Sequence, residues 1–113
     1  MSNIDIYIIF KMEILWKENI DISSEFVKNI VNGVLNKREK LDSIANKYLT
    51  DWTIDRLDNL GAIILRMGIY EIMYTDTPKI VVINEAIELA KKYSDDNVRK
   101  IINAVLDKVS NEN

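Results

Sequence analysis

LDNLGAIILRMGIYEIMYTDTPKIVVINEAIELAKKYSDDNVRKIINAVL, residues 57–106, holds the pieces around which the rest of the chain is arranged. From Leu60 to Tyr74 it is apolar on nearly every side, the mark of a helix buried at the centre of a bundle. Its only charges there are Arg66 and Glu71. Five residues separate them, about 140° around a helix at 100° per residue, so each needs a partner on another element or a route to solvent. Thr75–Pro78 (TDTP) is the clearest breaker in the chain, with Pro78 expected at the first position of the next helix and Thr77 as its cap. Lys79–Val82 is β-branched and reads as extended for a few residues. From Ile83 the helix is secure, with Ile83, Ala86, Ile87 and Ala90 as the inner stripe and Glu88 four residues before Lys92 in the favourable order.

Ser94 is expected to cap the last helix, Asp95 and Asp96 lying in its first turn where carboxylates suit the positive end of the dipole. Val98, Ile101, Ile102, Val105, Leu106 and Val109 form its apolar ladder. Lys108 suits its last turn, and residues 110–113 read as a disordered tail.

Outward from this stretch, residues 24–49 place Phe26, Val27, Ile30, Val31, Val34, Leu35, Leu41, Ile44, Ala45, Tyr48 and Leu49 on one face. That predicts a single helix of about seven turns. Gly33 costs such a helix about 1 kcal/mol relative to alanine, which points to close approach of another backbone. Lys37, Arg38, Glu39, Lys40 and Asp42 read as a solvated cluster. Trp52–Asp58 reads as a turn with a short helical piece capped by Thr53, and Asn59 restarts the helix. Residues 4–17 (IDIYIIFKMEILWK) begin strand-like, but Ile8, Met12 and Leu15 share a helical face. Asn19–Ser23 breaks that pattern and offers Asp21 or Ser23 as the next cap.

These readings sum to one all-α domain of 113 residues, a bundle of about five helices. A composition of 48% hydrophobic and 29% charged residues is that of an ordinary globular protein. With no cysteine and no histidine, disulfides, thiolate chemistry, Cys/His zinc sites and imidazole catalysis are excluded. The run Ile6–Phe10 is far short of the roughly 20 residues that span a bilayer, and no basic residue precedes it as a signal peptide requires. A cytoplasmic protein is expected. The net charge of −3 gives no global pull towards nucleic acid.

Residues able to carry chemistry are sparse. Glu71, Glu85 and Glu88 lack the Glu-x-x-His pairs of a di-metal bundle site and read as pairing or solvated groups. No glycine-rich phosphate loop is present, so neither cofactor nor catalytic residue is expected. The nearest thing to a binding patch is the corner of Lys91, Lys92, Arg99 and Lys100, although Lys91 and Lys92 also serve simply to complete a helix C-terminus.

At the level of motifs, residues 62–108 resemble the C-terminal half of the NusB transcription antitermination family. The matching pieces are Leu65, Arg66, Tyr70 and Glu71, the Pro78 loop, INEAIELAK (Ile83–Lys91, with Asn84 and Glu85), and Lys100, Asn103, Val105, Leu106 and Asp107 in the last helix. Residues 29–57 resemble the family's long middle helix and the turn after it. The resemblance implies an all-α fold and a binding role. NusB proteins pair with the small-subunit ribosomal protein that doubles as Nus factor E and bind the boxA element of nascent ribosomal RNA leaders, helping RNA polymerase avoid termination.

By the same resemblance, positions facing RNA or the ribosomal partner map onto Phe10, Asp55, Gly61, Asn97, Lys100 and Ile101, with Lys11 and Arg99 as basic neighbours. Arg66, Tyr70, Glu71, Pro78, Asn84, Glu85, Lys91, Asn103 and Leu106 map onto structural positions. Ile101 stands where the family has an aromatic, and Gly61 where it frequently has an acid. The family's arginine-rich first helix has only its back half here, residues 8–14, within a divergent front of residues 1–21. The segment before the long helix is also shorter. Since Lys and Arg contacts to phosphate supply much of RNA affinity, this chain alone is expected to bind boxA weakly. An in-frame arginine-rich segment upstream of Met1 would show that the start was misplaced. A first helix shortened in this way is also expected to bare an apolar strip that favours a homodimer.

Three readings stay open: a NusB-type antitermination factor; a module that binds only the ribosomal protein; and an accessory domain like the amino-terminal part of rRNA cytosine methyltransferases.

Overall fold

The computed structural model describes residues 24–50 and 53–112. Five α-helices follow one another: α1 (Ser24–Asn36), α2 (Arg38–Tyr48), α3 (Asn59–Tyr74), α4 (Lys79–Tyr93) and α5 (Asp96–Glu112), with a 3₁₀ turn at Ile54–Arg56 between α2 and α3. The all-α bundle matches the sequence-based expectation. The expected first helix over residues 4–17, the caps Asp21 and Ser23, and the side chains of Phe10, Lys11, Phe26, Val27 and Trp52 lie outside the described residues.

The central position belongs to α3, which packs against all four other helices. Every residue from Gly61 to Ile69 is buried, as its all-round apolar sequence predicts. Gly68 lets α5 come close, because a Cβ there would sit 2.8 Å from Leu106 Cδ1. Both charges of the buried helix are inside: Arg66 and Glu71 are each 3% exposed. Arg66 draws on another element, donating from Nε to Asp42 Oδ1 (2.6 Å) and from Nη2 to Asp42 Oδ2 (3.2 Å) on α2.

Several local expectations are corrected. The predicted seven-turn helix is two helices, interrupted at Lys37 with φ −107° and ψ 15°. The backbone ladder is carried across the interruption by Lys37 N–H to Gly33 O and Leu41 N–H to Lys37 O. Val34 and Leu41, both fully buried, are seven residues apart and so remain in phase. The apolar pattern therefore passes through the break without registering it. What approaches Gly33 is no backbone but the ring of Tyr70, which occupies the space a Cβ would take.

Thr53 precedes the 3₁₀ turn without a side-chain cap bond; the turn is tied instead by Ile54 N–H to Asn46 Oδ1 (2.8 Å). Pro78 occupies the N-cap of α4, one residue earlier than expected, and its carbonyl accepts from the N–H of Val81 and Val82. Thr77 is not the cap: the Thr75 hydroxyl donates to Glu71 O (2.7 Å) and closes α3. Lys79–Val82 is helical, since burial of Val82 against the core outweighs its β-branched preference. The inner stripe of α4 is Val82, Ala86, Leu89 and Ala90, with Ile83 and Ile87 half-buried beside it. Helix α5 continues through Ser110 to Glu112 in place of the expected tail, so Lys108 is not in its last turn. The Lys79 ammonium donates to Ser110 O (3.0 Å) and holds that end.

Among the described residues Ile80 is the exposed large hydrophobic, at 69%.

Candidate binding groove at the starts of α3 and α5

Two helix N-termini meet at one end of the bundle. Asp58 caps α3, its Oδ1 accepting from Gly61 N–H at 2.7 Å. Asp95 caps α5, its Oδ1 accepting from Val98 N–H at 2.8 Å. The expected cap, Ser94, does something else, since its hydroxyl donates to Asp58 Oδ2 (2.8 Å) and joins the two caps. Asp95 takes the capping role because α5 begins one residue later than predicted, at Asp96. Gly61 lies beneath this junction, buried, where an added Cβ would meet both the Asp58 carboxylate and Val98. It therefore presents no side chain to a partner, contrary to its expected outward role.

Beside the junction lies a cleft of ≈460 Å³, lined by Arg56, Leu57, Asp58, Asp95, Asn97, Val98, Lys100 and Ile101. Leu57 and Val98 form its buried floor, while Arg56, Asp58, Asp95, Asn97 and Lys100 are exposed. Lys100 and Ile101 also border a second cleft of ≈280 Å³, completed by Tyr48, Leu49, Thr50, Ala104, Val105 and Lys108. Ile101, expected in the core ladder, is only half-buried and forms the wall common to both. Together the clefts make one trough with an apolar floor and mixed charges at the rim. Such a surface suits a protein segment, because apolar area supplies the free energy and placed charges supply orientation.

Three of the sequence-derived candidates, Asn97, Lys100 and Ile101, come together here. Asp55 is exposed on the turn immediately before Arg56. Arg99 does not join them: it is half-buried, and its Nε lies 3.5 Å from Asp96 Oδ1. Phe10 and Lys11 are outside the described residues. The corner of Lys91, Lys92, Arg99 and Lys100 is thus divided, with Lys92 lying over its neighbour Tyr93 at 5.2 Å from the ring centroid. Arg56 and Tyr48 were missed because their roles depend on how the 3₁₀ turn folds back.

Of the expected structural positions, Arg66, Glu71 and Leu106 are buried, and Tyr70 fills the Gly33 notch. Pro78 starts α4. Glu71 and Glu85 line one void of ≈10 Å³ between α3 and α4, room for a single water at most. Asn84, Lys91 and Asn103 are exposed, so packing does not account for them.

Comparison with known proteins places this geometry in context. Residues 12–111 match the sequence profile of the NusB family. The chain is 43% identical over 109 residues to the transcription antitermination protein NusB of Staphylococcus aureus strain JH9, covering 96% of this chain and 84% of that protein. In three dimensions it superposes on T. maritima NusB with a TM-score of 0.78 at 25% identity, covering 99% of this chain and 92% of that one. A crystal structure of the antitermination factors NusB and NusE in complex with dsRNA aligns with a TM-score of 0.73 at 24% identity, covering 98% and 93% of the two chains, and shares the fold.

Proposed function

Because the chain belongs to the NusB family, we propose that it is a transcription antitermination factor that binds boxA RNA of ribosomal RNA leaders together with the small-subunit ribosomal protein that is Nus factor E. The observation that carries this reading is the trough beside α5, where Asn97, Lys100 and Ile101 share one surface with Asp55 at its edge. It is a docking surface for a protein partner. On this reading the chain works in the cytoplasm, as part of the RNA polymerase antitermination complex; no described helix is long and apolar enough to cross a membrane. By the same reading the protein acts by association with RNA and protein, and not as an enzyme.

Fluorescence anisotropy of a labelled boxA oligonucleotide tests the reading. The chain and the ribosomal protein together are expected to bind at least about tenfold more tightly than either does alone, a coupling of about 1.4 kcal/mol. Equal affinity for the pair and for its better member would overturn it. The module that binds only the ribosomal protein is favoured by one observation, the absence of basic residues before Lys11. A stable protein pair with no RNA in the ternary mixture would select it.

A further inference from the structure

At the end of α3 opposite its Asp58 cap, the interruption at Lys37 brings two lysines onto one aromatic ring. The ammonium of Lys37 lies 4.6 Å from the centroid of Tyr74 and that of Lys40 lies 5.8 Å from it. Tyr70 supports Tyr74 from behind, with ring centroids 5.3 Å apart and planes tilted by 36°. Its own position is fixed by the Gly33 notch. Lys37, Arg38 and Lys40 are all exposed.

Charge pairing distinguishes these cations from their neighbours. Arg38 approaches Asp42 at 3.9 Å, and Asp42 is also held by Arg66. Among the described residues no carboxylate stands within ion-pair distance of Lys37 or Lys40, Glu39 between them included. Two like charges converging on one ring repel each other, and the ring's quadrupole offsets that only in part. An anion bridging the two ammoniums removes the repulsion.

We propose that this elbow between α1 and α2 is a contact surface for the phosphate backbone of RNA, with Lys37 and Lys40 as the phosphate ligands and Tyr74 as the platform that holds them. The proposal rests on the RNA-binding reading above and assigns where part of that contact is made. An acidic peptide is the less favoured occupant. Peptide docking draws its free energy from buried apolar anchors, yet the cleft floored by Leu57 and Val98 lies at the other end of α3, about 20 Å away along the helix, and Lys37, Arg38 and Lys40 are themselves exposed and polar. A phosphodiester needs only placed cations. The elbow would supply charge that residues 1–10, with no basic side chain, do not.

The test is the salt dependence of boxA RNA binding by the full chain in the presence of the ribosomal protein. Each neutralised phosphate contributes about 0.7 to the slope of log K against log salt for single strands. The K37E/K40E variant is expected to reduce that slope by about 1.4, while K37R/K40R keeps it, with the melting temperature and the affinity for the ribosomal protein alone unchanged in both. An unchanged slope in K37E/K40E overturns the elbow assignment and leaves the RNA-binding reading standing. Loss of ribosomal-protein binding in K37E/K40E with the RNA slope retained would assign the elbow to a protein partner and overturn the proposal. If the unmodified chain with its partner binds no boxA RNA, the RNA-binding reading itself fails, and the proposal with it.

Discussion

Arg66 of α3 and Asp42 of α2 are joined by two hydrogen bonds, Nε to Oδ1 at 2.6 Å and Nη2 to Oδ2 at 3.2 Å. The arginine side chain is 4% exposed and the carboxylate 21%, so the pair lies at the inner edge of the α2–α3 contact. A buried guanidinium that loses its carboxylate costs about 3–5 kcal/mol. The partial exposure of Asp42 puts Asp42→Ala at the low end, about 3 kcal/mol. Replacing Arg66 by methionine in the same chain removes the orphaned charge and is expected to recover most of that loss. Urea unfolding of the two single variants and the double variant measures the coupling; a loss below about 1 kcal/mol in Asp42→Ala would show that the pair adds little to stability.

Gly33 offers a test in which the sign decides. On an exposed helix face Gly→Ala stabilises by about 1 kcal/mol. Here the added methyl would overlap the ring of Tyr70, and overpacking of that kind costs about 1–3 kcal/mol. Gly33→Ala is therefore expected to lower the melting temperature, and Tyr70→Leu in the same background to restore the helix-propensity gain. A stabilised Gly33→Ala would mean that Tyr70 moves aside freely.

The bundle was legible because its strongest signals are periodic. The all-round apolarity of residues 60–74 and the ladder of Val98, Ile102, Val105, Leu106 and Val109 each require a buried helix whatever surrounds them. Interruptions that keep the phase were not legible. Val34 and Leu41 stay on one face across Lys37, so a broken helix and a continuous one have the same pattern. Caps were read one residue off at both Pro78 and Ser94, because adjacent Thr-Pro and Ser-Asp pairs each offer two candidates and packing chooses between them. The trough was legible in part: Asn97, Lys100 and Ile101 share a helical face, but Arg56 and Tyr48 arrive from elements distant in sequence. Lys37 and Lys40 read as solvated because their relation to Tyr74 spans more than thirty residues of chain.

The division of labour between Ser94 and Asp95 predicts unequal losses. Asp95 accepts from Val98 N–H and satisfies a donor that opens α5. Asp95→Ala is expected to cost about 1 kcal/mol, the usual value of an N-cap. Ser94 makes a solvent-exposed bond to Asp58, and Ser94→Ala is expected to cost no more than about 0.5 kcal/mol. Thermal melts of the two variants compare them directly. A larger loss for Ser94→Ala would return the capping role to the residue that the sequence suggested.

Ile101 forms the wall common to both clefts of the trough and is only half-buried, so substitution there changes the proposed docking surface more than the core. Ile101→Ser keeps the helix but removes apolar area from the middle of the trough, where anchors of an interface carry most of its free energy. Binding to the ribosomal protein is expected to weaken about tenfold or more, with the melting temperature shifted by only a few degrees. Ile101→Phe acts in the opposite direction, since an aromatic ring brings a larger area to the same position with few rotatable bonds to immobilise. Titration calorimetry of the two variants against the ribosomal protein gives the sign of each effect. If Ile101→Ser binds as the unmodified chain does, the partner does not sit in the trough, and its contact must be sought on another face of the bundle.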